Sequence, residues 1–184
     1  MSQDVQEILA KYFKGEELEL VLTHGRMVAE LACKVGRNLG LNDDELKFLN
    51  EAAMLHDIGI CKVYAPGIGM HGPNPYITHG VIGRQILEKE GLPLHALICE
   101  RHIGVGLTSE DITAQQLPLP ERDMSPQNLY EEIICFADLF FSKIPGKLEV
   151  RKSVEQVREK LSAFGKQKVE IFDEWTKRFG KALL

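Results

Sequence analysis

The chain has 184 residues, of which 44% are hydrophobic and 27% are charged. These values are ordinary for a globular protein that buries its own core, and they predict one domain over residues 1–184. The net charge of −5 disfavours nucleic acid as a main partner. A negative net charge is still compatible with a local basic pocket for a phosphate group.

The cysteines and the hydropathy pattern predict a cytoplasmic protein. The four cysteines are scattered without a C-x-x-C pair, as expected of reduced thiols. The start of the chain is polar and acidic, unlike a signal peptide. No apolar run approaches the ~18 residues that span a bilayer. We therefore expect no membrane partner.

Apolar residues recur at helical spacing along most of the chain, and no segment alternates as a strand does. This pattern predicts an all-α fold, with helices over residues 4–13, 16–38, 43–56, 79–90, 93–102, 127–142 and 150–179. The last would be one long helix packed on a core of residues 16–145, with Gly165 as a point where it can kink. The apolar stripe of this helix could pack either on the core of the domain or against a second copy in a homodimer.

Caps and helix breakers set the predicted boundaries. Asn42 or Asp43 caps the third helix, Thr78 caps the fourth, and Pro126 lies in the first turn of the sixth. Glycine and proline make residues 60–78 and 104–125 irregular, and loops of this length are typical of a lid or a substrate wall.

Four ionisable residues fall on or beside the apolar stripes of these helices. His24 and His56 continue the stripes of the second and third helices at steps of three and four. Asp57 follows His56 about 100° further round the helix. Asp138 stands among phenylalanines in the sixth helix.

Each of these residues also has an ordinary explanation. A histidine on an apolar face is more often a hydrogen-bonded core residue than a ligand, and Asp138 could pair with a lysine or arginine. A buried carboxylate without a partner is costly, however. A metal ion would satisfy all four residues at once, and two imidazoles with two carboxylates suit iron, manganese, cobalt or zinc rather than calcium.

The order of these residues resembles that of the HD superfamily of metal-dependent phosphohydrolases. His56-Asp57-Ile58-Gly59 looks like the HDIG variant of its motif. Ala-Ala-Met-Leu precedes the motif, His24 lies on an upstream helix, and Ala137-Asp138 lies on a downstream one. The resemblance extends over roughly residues 20 to 145. It implies an HD-domain helical bundle with a metal site between its central helices.

Two more histidines extend the resemblance to the binuclear members of that superfamily. His79 in Thr-His-Gly-Val-Ile-Gly and His102 in Glu-Arg-His-Ile-Gly-Val-Gly are similar to their extra ligands. The resemblance implies one metal at His24, His56, Asp57 and Asp138, and a second at Asp57, His79 and His102. It implies two divalent transition-metal ions, with iron as the first choice and manganese, cobalt or zinc as alternatives.

The implied activity is hydrolysis of a nucleotide or another phosphate ester or anhydride by metal-activated water, with His56 and Asp57 at the catalytic centre. The ligand set resembles that of small bacterial dinucleoside-tetraphosphate hydrolases and, more distantly, of HD-GYP phosphodiesterases. No Gly-Tyr-Pro follows His102, which disfavours cyclic-dinucleotide hydrolysis. The chain also has Ile60-Cys61 where many relatives have a lysine soon after the motif.

Candidate substrate contacts are polar residues near the implied ligands: Lys62, Arg101, Ser142 and Lys143. Each basic residue among them could instead be a solvated surface charge.

Two other functions stay open. Di-iron oxygenases of the superfamily share the ligand order, and a nucleotide-sensing module would bind a nucleotide without turnover. The sequence favours His71 as a solvated loop residue over a role in substrate contact, and it assigns no role to His95.

Overall fold

The structure is a computed structural model that describes residues 4–184. Met1 to Gln3, on which part of the localisation prediction rests, lie outside the described residues. The α-helices of the described part are α1 (Val5–Tyr12), α2 (Gly15–Asn38), α3 (Asp43–Leu55), α4 (His79–Lys89), α5 (Pro93–Arg101), α6 (Ser109–Ala114), α7 (Leu129–Leu139), α8 (Val154–Ser162) and α9 (Lys166–Phe179).

The all-α prediction is confirmed, apart from one small hairpin. Strands β1 (Tyr64–Ala65) and β2 (Met70–His71) pair antiparallel, and a two-residue strand is too short to give an alternating pattern. Short 3₁₀ turns at Ile58–Lys62, Pro66–Ile68 and Tyr76–Thr78 surround the hairpin. Within residues 4–184, no helix is long and apolar enough to cross a bilayer.

The predicted single helix over residues 150–179 is wrong, because the chain turns between α8 and α9. Gly165 has φ +113° at this break, a conformation that L side chains rarely adopt. Ser153 caps α8 and accepts a hydrogen bond from the backbone N–H of Gln156. The apolar steps of three and four are broken only at Lys168, three residues after Gly165, and Phe164 and Ile171 of that stripe are exposed.

Two other boundaries differ from the prediction. Helix α6 lies inside the stretch predicted as irregular, and it begins with a capping box in which Thr108 and Asp111 each accept a backbone N–H of the other. Pro126 precedes α7 instead of lying in its first turn. The Asn128 side chain accepts two backbone N–H groups and sets the start of α7 at Leu129.

The core has two parts, and the candidate metal ligands lie where they meet. One buried cluster joins α2, α3, α7 and α9, and the other joins α1, α4 and α5 to the start of α2. On α2, Val21 belongs to the second cluster and Val28 to the first, with His24 buried between them. Phe136 of α7 packs against Phe172 of α9 with ring centroids 6.0 Å apart, which holds the C-terminal helices on the core.

Candidate metal centre

Three of the candidate histidines are oriented in the same way by the backbone. The Nδ1 atoms of His56, His79 and His102 lie 2.5, 2.7 and 2.7 Å from the carbonyl oxygens of the residues three positions earlier. A carbonyl oxygen only accepts, so each Nδ1 carries a proton and Nε2 is the nitrogen left to face the centre. All three Nε2 atoms are therefore prepared to act as metal ligands.

The first group of candidate ligands comes from α2, the end of α3 and α7. His24, His56, Asp57 and Asp138 each offer one atom, and these atoms lie within 4.8 Å of one another. Asp57 Oδ2 is 3.1 Å from His56 Nε2 and 3.2 Å from His24 Nε2. His24 Nε2 is also 3.0 Å from Asp138 Oδ1. The four residues that the helical pattern singled out thus converge on one point.

The second group shares Asp57 with the first but uses its other oxygen. Asp57 Oδ1 is 3.5 Å from His79 Nε2 and 3.4 Å from His102 Nε2. His79 is the first residue of α4, and His102 directly follows α5. The two carboxylate oxygens of Asp57 therefore face separate groups of ligands, which is the geometry of a bridging carboxylate.

The polar atoms at this centre fit a cation. His79 Nε2 and His102 Nε2 lie 3.1 Å apart, close enough for both to bind one cation. Both oxygens of Asp57 are buried, Oδ2 has the Lys143 ammonium 2.7 Å away, and Oδ1 has no hydrogen-bond donor in good geometry among the described residues. Nitrogen and carboxylate donors of this kind suit a divalent transition metal.

The charges around the centre change the pKa of its residues. Burial raises the pKa of Asp57, but Lys143 and His56 outweigh it and hold this pKa well below its usual range. Burial lowers the pKa of His56, but the carboxylates of Asp57 and Asp138 outweigh it and raise this pKa to about 10. Burial and then His102 lower the pKa of His79 to about 3. The carboxylates thus stay ionised and favour positive charge at the centre.

Lys143, which follows α7, is drawn into the same centre. Its ammonium lies 2.7 Å from Asp57 Oδ2 and 3.8 Å from Asp138 Oδ1. Burial lowers the pKa of Lys143, but Asp138 and Asp57 outweigh it and raise this pKa well above its usual value. Lys143 is therefore a fixed positive charge beside the first group of ligands.

The glycine of the motif lets the two ligand-bearing segments approach each other. A Cβ atom on Gly59 would lie 1.9 Å from the His79 carbonyl oxygen and 2.5 Å from the Gly83 nitrogen. Both are backbone atoms that cannot move aside without shifting α4 as a whole. The close contact between the turn after Asp57 and the start of α4 therefore requires glycine.

Gly59→Ala is expected to lower the free energy of unfolding by about 3 kcal/mol, because the added methyl group must push α4 away. Gly67→Ala is the matched control, since nothing lies within 4 Å of its added Cβ. Urea denaturation of both variants measures the difference. Equal stability of the two variants would contradict the described contact.

A cavity of about 780 Å³ opens beside the centre, and His79, His102 and Asp138 form part of its wall. Parts of both predicted irregular stretches line it, as expected of a substrate wall. Ser142 and Lys143 also line it. Arg101 does not, because its guanidinium is 2.9 Å from Glu131. Lys62 is exposed and lies outside the cavity wall.

The other two histidines lie away from the centre. His71 is exposed on β2 and does not line the cavity. His95 is buried on α5, with Nε2 3.6 Å from Glu51 Oε2 and its ring against Phe48. The His95 ring belongs to neither group of ligands, and the sequence predicted no role for it.

Several cavity residues were missed by the sequence analysis. The backbone carbonyl of Tyr76 orients His79, and the Tyr76 side chain lines the cavity. Lys152, Lys160 and Lys168 reach the same wall from the C-terminal segment. Only the position of Tyr76, three residues before His79, could have drawn attention to it. Lys168 is the one residue that interrupts the apolar stripe of residues 150–179, whereas Lys152 and Lys160 show no such feature in the sequence.

The sequence of this bundle matches a known family. The family model for the HD domain covers residues 21–141, a segment that includes all six candidate ligands. The chain belongs to the HD domain family. This agrees with the resemblance drawn from His24, the His56-Asp57 pair and Asp138.

Two curated proteins are similar to this chain over most of its length. The chain is 30% identical to a tRNA (cytidine(56)-2'-O)-methyltransferase of Thermoplasma volcanium over 85% of its own length and 42% of that protein. It is 37% identical to the uncharacterized protein MJ0778 of Methanocaldococcus jannaschii, over 65% of each. The chain thus spans less than two thirds of these relatives. Most of the methyltransferase lies outside the matched segment.

Solved structures show the same fold. The HD domain of the L. monocytogenes phosphodiesterase PgpH superposes with a TM-score of 0.55 at 16% identity, covering 94% of this chain and 95% of that one. The same domain in complex with cyclic-di-AMP superposes with a TM-score of 0.54, again at 16% identity and covering 92% of each chain. At this identity the similarity establishes the fold alone.

Proposed function

We propose that this HD domain is a metal-dependent phosphohydrolase that acts on a nucleotide or another phosphate ester or anhydride. The observation that carries the proposal is the position of Asp57, whose two oxygens face two groups of histidine ligands beside a cavity. A centre for two metal ions sharing one carboxylate suits phosphoryl transfer. The phosphodiesterase activity and the cyclic-di-AMP complex named for PgpH support a nucleotide as ligand.

His24, His56, Asp57 and Asp138 would hold one divalent ion, and Asp57, His79 and His102 the other. When bound, such ions lower the pKa of water and neutralise phosphoryl oxygens. Iron is the first choice, because the mixed histidine and carboxylate set suits it, with manganese, cobalt or zinc as alternatives.

The residues of the chain itself supply orientation and charge. The backbone carbonyls that accept from Nδ1 hold three imidazoles in place without reorganisation on binding. Lys143 adds a positive charge at the entrance of the centre, where it would contact a phosphoryl oxygen, and the Ser142 hydroxyl lines the same wall. The apolar part of the cavity would exclude water from around the reacting group.

The test is elemental analysis of anaerobically purified protein, followed by a screen for phosphate release. The screen covers nucleotides, dinucleoside polyphosphates and small phosphate esters. We expect release by the wild type and by Asp123→Asn, a control on an exposed aspartate outside the centre. We expect at least a ~100-fold loss in Asp57→Asn, which removes the shared ligand.

Two results would overturn the proposal in favour of the other functions considered. Substrate-dependent oxygen uptake by iron-loaded protein, with no phosphate released from any compound, would identify an oxygenase. Tight nucleotide binding by metal-loaded protein that leaves the nucleotide intact for hours would identify a sensing module.

A further inference from the structure

The cavity carries a positive charge although the chain as a whole is acidic. Four lysines line it, Lys143, Lys152, Lys160 and Lys168, against one carboxylate, Asp138. The whole chain has 27 acidic and 22 basic residues. The cavity therefore reverses the charge balance of the protein, as expected of a site for an anion.

Two of the four lysines already have carboxylate partners. Lys143 pairs with Asp57 in the metal centre. Lys168 lies 2.5 Å from Asp111 Oδ2 and donates to the Gly106 carbonyl, so it holds α9 against the cavity wall. Their charges are therefore largely neutralised within the protein.

Lys152 and Lys160 have no such partner. Among residues 4–184, no carboxylate oxygen lies within 4.0 Å of either ammonium. Lys152 Nζ donates to the carbonyl oxygens of Leu139, at 3.0 Å, and Phe141, at 2.6 Å, which carry no net charge. These two hydrogen bonds leave one of the three ammonium protons of Lys152 available for another acceptor.

The environment of Lys152 is short of negative charge. Burial lowers the pKa of Lys152 to about 8, the ammonium groups of Lys160 and Lys143 add to the effect, and the carboxylate of Asp138 only partly opposes it. An anion between the two ammonium groups would relieve both the repulsion and the cost of desolvation.

We propose that Lys152 and Lys160 form a second anion-binding subsite, which takes a phosphoryl group other than the one that reacts at the metal centre. The proposal rests on the proposed function and narrows its substrate class. The substrate would carry two or more phosphoryl groups, as a nucleoside polyphosphate does, and a monophosphate would fill the cavity only in part.

Lys160→Gln is the test, because Lys160 is exposed on α8 and its replacement leaves the core unchanged. Lys181→Gln removes the same charge from an exposed position outside the cavity and is the matched control. The ligands are AMP and ATP, which share a base and a sugar and differ in phosphoryl groups. Calorimetry with magnesium in excess gives the dissociation constants. The bound metals and the intact nucleotide are measured afterwards.

We expect wild type to bind ATP more tightly than AMP. In Lys160→Gln, ATP binding should weaken about 5- to 10-fold while AMP binding stays unchanged, since one charge-assisted contact is lost. Lys181→Gln should behave as wild type. Equal affinity of wild type for both nucleotides, or an equal effect of Lys160→Gln on both, would overturn the subsite. Binding requires no turnover, so a failure to hydrolyse would overturn the proposed function alone.

Discussion

Asp57→Asn is expected to abolish the rise in melting temperature that metal gives the wild-type protein. A metal bound only to the native state stabilises it by mass action, by about 2.7 kcal/mol at a concentration 100 times its dissociation constant. For a chain of this size this corresponds to a rise of ~5–10 °C. Asparagine keeps the shape of the side chain but removes the charge that both groups of ligands share. Thermal unfolding with and without added metal, with elemental analysis of each sample, measures the effect.

Glu131→Gln is the matched control for this prediction. Glu131 is as buried as Asp57 and is paired with Arg101, but it belongs to neither group of ligands. We expect Glu131→Gln to lower the melting temperature with and without metal by the same amount and to keep its metal. Full metal content in Asp57→Asn would show that the two groups of ligands do not form the metal centre.

His79→Ala and His102→Ala are expected to halve the metal content, from two ions per chain to one. Each variant removes a ligand from the second group and leaves His24, His56, Asp57 and Asp138 in place. Loss of one of three protein ligands leaves that position too weak to retain an ion through purification. Elemental analysis against protein concentration gives the stoichiometry.

His95→Ala separates ligand loss from general destabilisation. His95 is a buried histidine on the same helix that precedes His102, so its replacement leaves a similar space in the core. We expect this variant to keep both ions. Two ions per chain in both His79→Ala and His102→Ala would rule out the second group as a metal site.

Helical periodicity drew attention to the first group of candidate ligands, which are His24, His56, Asp57 and Asp138. His24 and His56 lie on apolar stripes, so the residues around them indicated that both point inward. His79 begins α4 and His102 follows α5, and helical periodicity did not single out either of them as a ligand. Their prediction depended on the family resemblance, and the structure brings them to the other oxygen of Asp57.

The walls of the cavity were harder to predict than the centre. Arg101 adjoins His102 in sequence, but successive side chains of a helix differ by about 100°, and Arg101 turns towards Glu131. Lys143 was predicted because it follows Asp138 closely. Lys152 and Lys160 lie before the turn at Gly165 and Lys168 lies after it, so both C-terminal segments contribute lysines to the cavity wall.

The end of the matched HD segment, at residue 141, separates the candidate metal ligands from the lysines of the cavity. All six candidate ligands lie inside the segment that the HD family shares, whereas the four cavity lysines lie beyond its last matched residue, at positions 143 to 168. Substitutions after residue 141 can therefore alter the charge of the cavity without changing a candidate ligand. A chimera that joins residues 1–141 to the C-terminal segment of a relative would exchange ligand preference while keeping the metal content.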